Sequence, residues 1–302
     1  DHYTSQMESG NIYVNRSITG ARVAIEPFGG FKLSGTGPKA GSRSYVPRFH
    51  LPVLAGQVLS KNTQVDSGTD YDFPVCVPSG LRTFRRKTKV TRGINIFLHQ
   101  FESLTGEIRG EVKDNLKNFS EWNNKHLMNF LHQDRPNRKI PGQLSFDDHR
   151  LPAQTALLVA YSVRPDQRTW LQLFGALYVG TGVSIVCRSE ESYVLWSKLI
   201  SLLHNAGISK HNVDAYYVNE ERLVKSLTEI EWSVVIVDGT VDQVAWVSKH
   251  SSKNIQGQIP NILCPYDASS TSNAKGFIRP FLRPRSFAVN IMRHGAPLDI
   301  EV

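Results

Sequence analysis

Long apolar runs and cysteine are what this 302-residue chain has least of. No apolar stretch reaches the roughly 20 residues that a helix needs to cross a bilayer, and no signal-peptide pattern opens the chain. The three cysteines, Cys76, Cys187 and Cys264, form neither a disulfide framework nor a metal-ligand spacing. That usage points to a reducing cytoplasm. Cys187 closes the apolar run Val183-Ser184-Ile185-Val186, and Cys264 follows Ile262-Leu263, so both read as buried core thiols. Cys76 follows Phe73-Pro74-Val75. None has a neighbour that would depress its pKa, so none is expected to be a nucleophile. Ten histidines are scattered, and His126 and His132, six apart, do not share a helix face at metal spacing. The chain has no G-x-S-x-G elbow. It has neither a Walker A loop nor a G-x-G-x-x-G in strand–turn–helix context.

What is present begins with 40% apolar residues, enough for a real core, and a formal charge of +8. The densest basic cluster is Arg82, Arg85, Arg86, Lys87, Lys89 and Arg92, with Phe84 interleaved. It matches no nucleic-acid motif and reads as a solvated loop or an inter-subunit surface, so nucleic acid is not an expected partner.

The most informative segment lies near the start. Asn11–Asn15 alternates Ile12 and Val14 with polar residues and reads as a short strand. Pro27-Phe28 precedes Gly29, Gly30, Gly35, Gly37 and Gly41. Glycine at this density lets backbone amides approach a ligand, and it equally suits a flexible surface loop. A site needs walls on several sides, and most are expected upstream of residue 1. The chain therefore reads as the C-terminal piece of a larger enzyme.

The run Asn15-Arg16-Ser17-Ile18-Thr19-Gly20-Ala21, then Pro27-Phe28-Gly29-Gly30, then Ser34-Gly35-Thr36-Gly37-Pro38-Lys39-Ala40-Gly41 resembles the C-terminal signature of aldehyde dehydrogenases. Its fuller form is similar to the L-glutamate γ-semialdehyde dehydrogenase part of bifunctional proline-utilization flavoproteins. The resemblance is dense over residues 9–49. It implies a substrate-anchor loop at Thr19, Gly20 and Ala21, with the backbone amides at Gly20 and Ala21 binding the substrate α-carboxylate as an anion nest. It implies that Phe28 is an aromatic wall that holds the reacting carbon in place, where the residues alone suggest a core aromatic. Arg22 and Glu26 depart from the family, which is smaller or uncharged there. The family needs a cysteine nucleophile, a glutamate base and a bound NAD, and its nucleophile lies well before this signature, so no catalytic, cofactor-binding or metal residue is expected in this chain. NAD and FAD belong to the implied parent enzyme. The implied partners are the upstream catalytic domains of the same polypeptide, glutamate semialdehyde and further copies in a homo-oligomer.

Residues 50–93 read as a linker with one short strand near Val53–Leu59. Residues 94–133 place Ile96, Phe97, Phe101, Leu104, Ile108, Val112, Leu116 and Phe119 at helical spacing, with Gly93, Gly106 and Gly110 limiting two helices. From residue 151 the chain alternates. Strands are expected at Ala156–Tyr161, Val183–Cys187, Val213–Val218 and Ser233–Val237. Helices are expected at Pro165–Val179, with Pro165 in the first turn, and at Ser189–Asn205, Glu220–Ile230 and Val241–His250. This β-α-β-α-β-α-β order predicts an α/β fold with a Rossmann-like, doubly wound parallel sheet. The expected division is thus 1–50, the end of a dehydrogenase catalytic domain; 51–150, a linker and helical segment; and 151–302, the Rossmann-like domain.

The first strand–helix link, Ser162-Val163-Arg164-Pro165-Asp166, has no glycine, so a pyrophosphate could not approach the backbone there. Gly180-Thr181-Gly182 lies at the wrong end of the sheet. Asp238 ends a strand, where an acidic residue could bind a ribose, but it reads more simply as part of a helix N-cap region. The resemblance accounts for this half as a noncatalytic domain, with Arg285-Ser286-Phe287-Ala288-Val289-Asn290 similar to the start of a terminal motif that covers the active site. A stand-alone assembly domain is the competing reading.

Overall fold

The computed structural model describes residues 7, 9–19, 21–22, 25–30, 34–35, 39–42, 45, 84–101, 110–132, 135–136, 143–152, 155–255, 260–263, 274–290, 292–293 and 296–297. Strand β1 is Asn11–Val14; helices α1 (Phe84–Phe101) and α2 (Gly110–His132) follow, then β2 (Arg135–Pro136) and β3 (Gln143–Pro152). The alternating part runs β4 (Thr155–Ala160), α3 (Gln167–Val179), β5 (Gly182–Cys187), α4 (Glu190–Asn205), β6 (Val213–Tyr217), α5 (Glu220–Glu229), β7 (Val234–Asp238), α6 (Val241–Ser251) and β8 (Asn261–Leu263). It continues with α7 (Ala274–Ile278), a 3-10 turn at Arg279–Phe281, β9 (Leu282–Asn290), β10 (Met292–Arg293) and β11 (Ala296–Pro297). These elements group into two compact units. One comprises Asp1–Leu51, Met128–Leu151 and Leu282–Val302; the other comprises Pro52–Leu127 and Pro152–Phe281. The middle stretch expected as 51–150 divides between the two units, and the terminal segment groups with the signature.

In the larger unit, five parallel strands lie in the order β6-β5-β4-β7-β8. The chain winds outward from β4 in one direction through β5 and β6, then in the other through β7 and β8. That is the doubly wound topology expected from the alternation. Strands β4, β5 and β7 are buried at every residue, as continuous apolar runs covered on both faces should be. On one face Leu157, Val159, Val186, Val235 and Val237 pack against Leu223, Leu227, Trp232 and Val247. Elsewhere in the core Trp170 and Trp196 lie 5.1 Å apart between ring centroids, joining α3 to α4.

Three details differ from the expectation. Pro165 lies outside α3; Asp166 is the N-cap, in extended conformation, and its carboxylate accepts from the Thr169 amide at 2.7 Å. The cap satisfies an amide that has no helical partner, so the helix starts after it. The linker expected over 50–93 gives way to α1 from residue 84, because Val90, Ile94 and Phe97 form a buried helical stripe. Phe97 meets Phe174 of α3 at 5.7 Å. The basic cluster therefore runs onto a helix, with Arg92 exposed. Gly93 is internal to α1: a Cβ there would meet Ile208 Cγ1 at 2.7 Å, so its absence lets the helix pack. The expected strand at Val53–Leu59, Gly106, Cys76 and Cys264 lie outside the described residues.

In the smaller unit the sheet order is β1-β9-β3-β2. β1 runs parallel to β9, from Asn11 opposite Ser286 to Val14 opposite Val289. The Ser286 amide donates to the Gly10 carbonyl at 3.0 Å. The segment read as the start of a terminal motif is thus a strand, with Phe287 and Ala288 buried. Its Arg285 guanidinium donates to the Met7 carbonyl at 3.1 Å and lies 5.2 Å over the Phe287 ring.

Candidate functional site

β1 delivers the chain to the signature. Asn15 turns it with φ of 58°, a left-handed conformation that asparagine tolerates. The next residues form a loop closed by an ion pair. Arg16 Nη1 donates to Glu26 Oε1 at 2.5 Å, and Glu26 is 1% exposed. The Arg22 amide donates to Glu26 Oε2 at 3.3 Å. Backbone turns from Ile25 and Glu26 to the Arg22 carbonyl, at 3.1 and 2.8 Å, tighten the end of the loop. Inside it, the Thr19 amide donates to Ser17 Oγ at 3.2 Å, and the two hydroxyls are 2.8 Å apart.

Gln143 of β3 reaches this loop from 117 residues beyond Glu26. Its Oε1 accepts from Arg16 Nη1 at 2.8 Å and from Arg22 Nη2 at 3.1 Å. Its Nε2 donates to Glu26 Oε1 and, at 2.6 Å, to Ser145 Oγ. Two guanidiniums thus surround one buried carboxylate, a net positive charge next to the loop. Arg16 also lies 4.9 Å over the Tyr13 ring. Burial, reinforced by Glu26, raises the Tyr13 phenol above its usual range.

The Pro-Phe-Gly-Gly turn is fastened to β1. Asn11 Nδ2 donates to the Pro27 carbonyl at 3.0 Å, and Asn11 Oδ1 accepts from the Gly29 amide at 3.2 Å. Lys39, nearly fully buried, donates to the Gly10 carbonyl and to Asn11 Oδ1. Phe28 and Ala40 exchange backbone bonds of 3.0 and 2.8 Å. The glycines here serve close backbone packing: a Cβ on Gly10 would lie 1.8 Å from the Gly29 carbonyl oxygen, and one on Gly35 2.2 Å from that of Gly30.

Of the residues singled out from sequence, Thr19 and Ala21 share the loop closed by Arg16 and Glu26. Thr19 is exposed and Ala21 half-buried. Gly20 lies outside the described residues. Phe28 falls beyond the closure and is 58% exposed, so it is not the core aromatic that composition alone suggests. Arg16, Lys39, Asn11 and Gln143 were not singled out from sequence. The first two carried a signal in hindsight, as cations set among glycines and small residues. Gln143 carried none, because its contact is remote.

The Rossmann-like unit has a polar cluster at the C-terminal edge of its sheet, where the strand order reverses between β4 and β7. Asp238 ends β7 and is 2% exposed; the N-cap of α6 is Thr240 instead, in a capping box with Gln243. Burial, then the Asp166 carboxylate, pushes the Asp238 carboxyl up to about 7, against hydrogen bonds from Thr169 and Ser162. Two carboxylates at the N-terminus of α3, with no glycine in the link, do not fit a nucleotide pyrophosphate. Cys187 is buried and its thiol is pushed up to about 12, which suits an inert core residue. Among the described residues no His, Cys, Asp or Glu group could hold a metal. No described helix is long and apolar enough to cross a membrane.

Comparison with known proteins bears on the first of these regions. The aldehyde dehydrogenase family matches residues 1–50. The bifunctional protein PutA of Rhizobium meliloti is 57% identical over 48 residues, which is 16% of this chain and 4% of that protein. The 1-pyrroline-5-carboxylate dehydrogenase of Staphylococcus aureus strain JH1 is 49% identical over 45 residues, 15% of this chain and 9% of that protein. The crystal structure of proline utilization A from Bdellovibrio bacteriovorus, inactivated by N-propargylglycine, gives a TM-score of 0.48 at 14% identity, over 62% of this chain and 20% of that one. The matched segments span less than a tenth of the length of these curated relatives. Residues 1–50 match the aldehyde dehydrogenase family, and segments of 48 and 45 residues are similar to the PutA and 1-pyrroline-5-carboxylate dehydrogenase proteins.

Proposed function

We propose that this chain is the C-terminal portion of a bifunctional proline-catabolic enzyme. Its parent oxidises proline with FAD, then oxidises L-glutamate γ-semialdehyde to glutamate with NAD. The observation that supports this reading is the similarity to a bifunctional protein PutA, 57% identical over 48 residues, and to a 1-pyrroline-5-carboxylate dehydrogenase, 49% identical over 45 residues. The chain contributes the aldehyde anchor. Backbone amides at Gly20 and Ala21 hold the substrate α-carboxylate, Thr19 lines the same turn, and Phe28 flanks the aliphatic part of the substrate. The exposed Phe28 ring and the net positive charge of the Arg16, Arg22 and Glu26 group both support that role. NAD, held by parts of the enzyme outside this chain, would accept the hydride. Fixing the substrate at its carboxylate end brings the carbonyl to a nucleophile held elsewhere, which lowers the entropic part of the barrier.

The Rossmann-like unit is proposed as a noncatalytic structural and assembly domain, with the segment from Arg285 contributing to a cover over the active site. Homo-oligomerisation and a cytoplasmic location complete the proposal. The test is selectivity in the full-length enzyme. Glutamate semialdehyde should be oxidised far more efficiently than propanal, which has no carboxylate. Phe28→Ala should raise KM for the semialdehyde by about 5- to 50-fold. Equal efficiency on both aldehydes would contradict an anchor for carboxylate.

A further inference from the structure

The least expected feature of the smaller unit is the reach of Gln143 into the signature loop. A carboxamide has two acceptor sites and two donors, and Gln143 uses all four. Its oxygen takes Arg16 and Arg22; its nitrogen serves Glu26 and Ser145. The reverse orientation would point N–H groups at two guanidiniums and an oxygen at a carboxylate, so the network fixes which end is which. A glutamate at this position could not donate to Glu26. Its partners are the two ends of the loop, Arg16 and Glu26, and Arg22, which directly follows Ala21. Three of the four bonds therefore go to the segment that carries the anchor.

We propose that Gln143 is a positioning residue for substrate binding: by joining Arg16, Arg22 and Glu26 it holds Thr19 and Ala21 in place to receive a carboxylate. This rests on reading loop 16–26 as the aldehyde anchor. Strand β3 is then a working part of the substrate site, although it lies over a hundred residues beyond the signature. Gln143 acts through the loop, so it should affect substrates that carry a carboxylate and spare those that do not.

The experiment uses the full-length enzyme with Gln143→Met, which keeps volume while removing all four bonds, and Ser145→Ala, a milder variant that frees only one donor. KM is measured for glutamate semialdehyde and for propanal. Hydrogen exchange is followed at the amides of residues 16–19, 21, 22, 25 and 26. Gln143→Met should raise KM for the semialdehyde about ten-fold, the scale of one or two lost hydrogen bonds to charged groups, with little change in kcat. KM for propanal should hold, and exchange in the loop should quicken. Ser145→Ala should move the same quantities in the same direction by less, which decides the matter if the methionine variant does not fold. Equal effects on both aldehydes, or unchanged KM with unchanged exchange, would overturn the proposal. A wild-type enzyme inactive on the semialdehyde would instead sink the anchor reading. In that case the proposal falls with it, and exchange separates the two failures: faster exchange shows that the Gln143 contacts order the loop, and unchanged exchange that they do not.

Discussion

Asp238 and Glu26 are both buried carboxyls, and their surroundings set opposite consequences. Asp238 faces a second carboxylate, Asp166, and its folded-state pKa is raised to about 7 from 3.8. The folded protein therefore holds that proton more tightly than the unfolded chain. Stability is greatest below about pH 4 as far as this group is concerned, and falls as pH rises towards 7. Asp238→Asn removes the penalty. It should stabilise the protein by about 2–4 kcal/mol at pH 8 and by almost nothing at pH 4, read from urea unfolding at the two values. Equal effects at both would contradict the assignment.

Glu26 sits instead between guanidiniums. Removing it leaves Arg16, whose side chain is 15% exposed, without its counter-charge. Glu26→Gln and Glu26→Ala both remove the counter-charge and should each cost about 3 kcal/mol, with Glu26→Ala costing somewhat more for the packing it also loses. Thermal unfolding of the two variants side by side distinguishes a charge effect from a packing effect.

At the scale of elements, the alternating half was legible because each helix and strand announces itself locally. Buried parallel strands read as apolar runs such as Ala156-Leu157-Leu158-Val159, and helix starts carry their caps at Ser189, Asn219 and Thr240. The misreadings have local causes as well. Glycine at 93 looked like a stop and is a packing surface. Proline at 165 looked like a first turn, and the aspartate after it is the cap. Contacts remote in sequence left no trace in composition: β1 pairs with β9, and Gln143 meets Arg16 across 127 residues. The signature segment was visible only by resemblance, because its glycines suit a loop as well as a site.

A close contact between elements gives a further test. Gly175 of α3 packs on α7 so tightly that a Cβ would lie 2.1 Å from the Phe277 carbonyl oxygen. Gly175→Val should destabilise the larger unit by about 2–4 kcal/mol in denaturant unfolding, through overpacking. Gly180→Ala, at a position with φ of 91° and open space around its Cβ, should cost only about 1 kcal/mol, from backbone strain alone.

Across the whole molecule, the terminal segment is tied to the signature by the sheet. β9 is the neighbour of β1, so removing residues 285–302 takes away the whole ladder from Asn11 to Val14 along with the Ser286 bond to Gly10. Full-length enzyme lacking those residues should lose semialdehyde dehydrogenase activity, while proline oxidation with an artificial electron acceptor stays intact. Unchanged kinetics would mean that the pairing is dispensable. The central claim is that this chain supplies an anchor to a catalytic apparatus located elsewhere in the polypeptide. The most direct measurement is NADH formation from glutamate semialdehyde, by this chain and by a protein extended upstream through the complete reading frame. Activity confined to the extended protein is the predicted result. Activity in the 302-residue chain alone, or in neither protein, would contradict it.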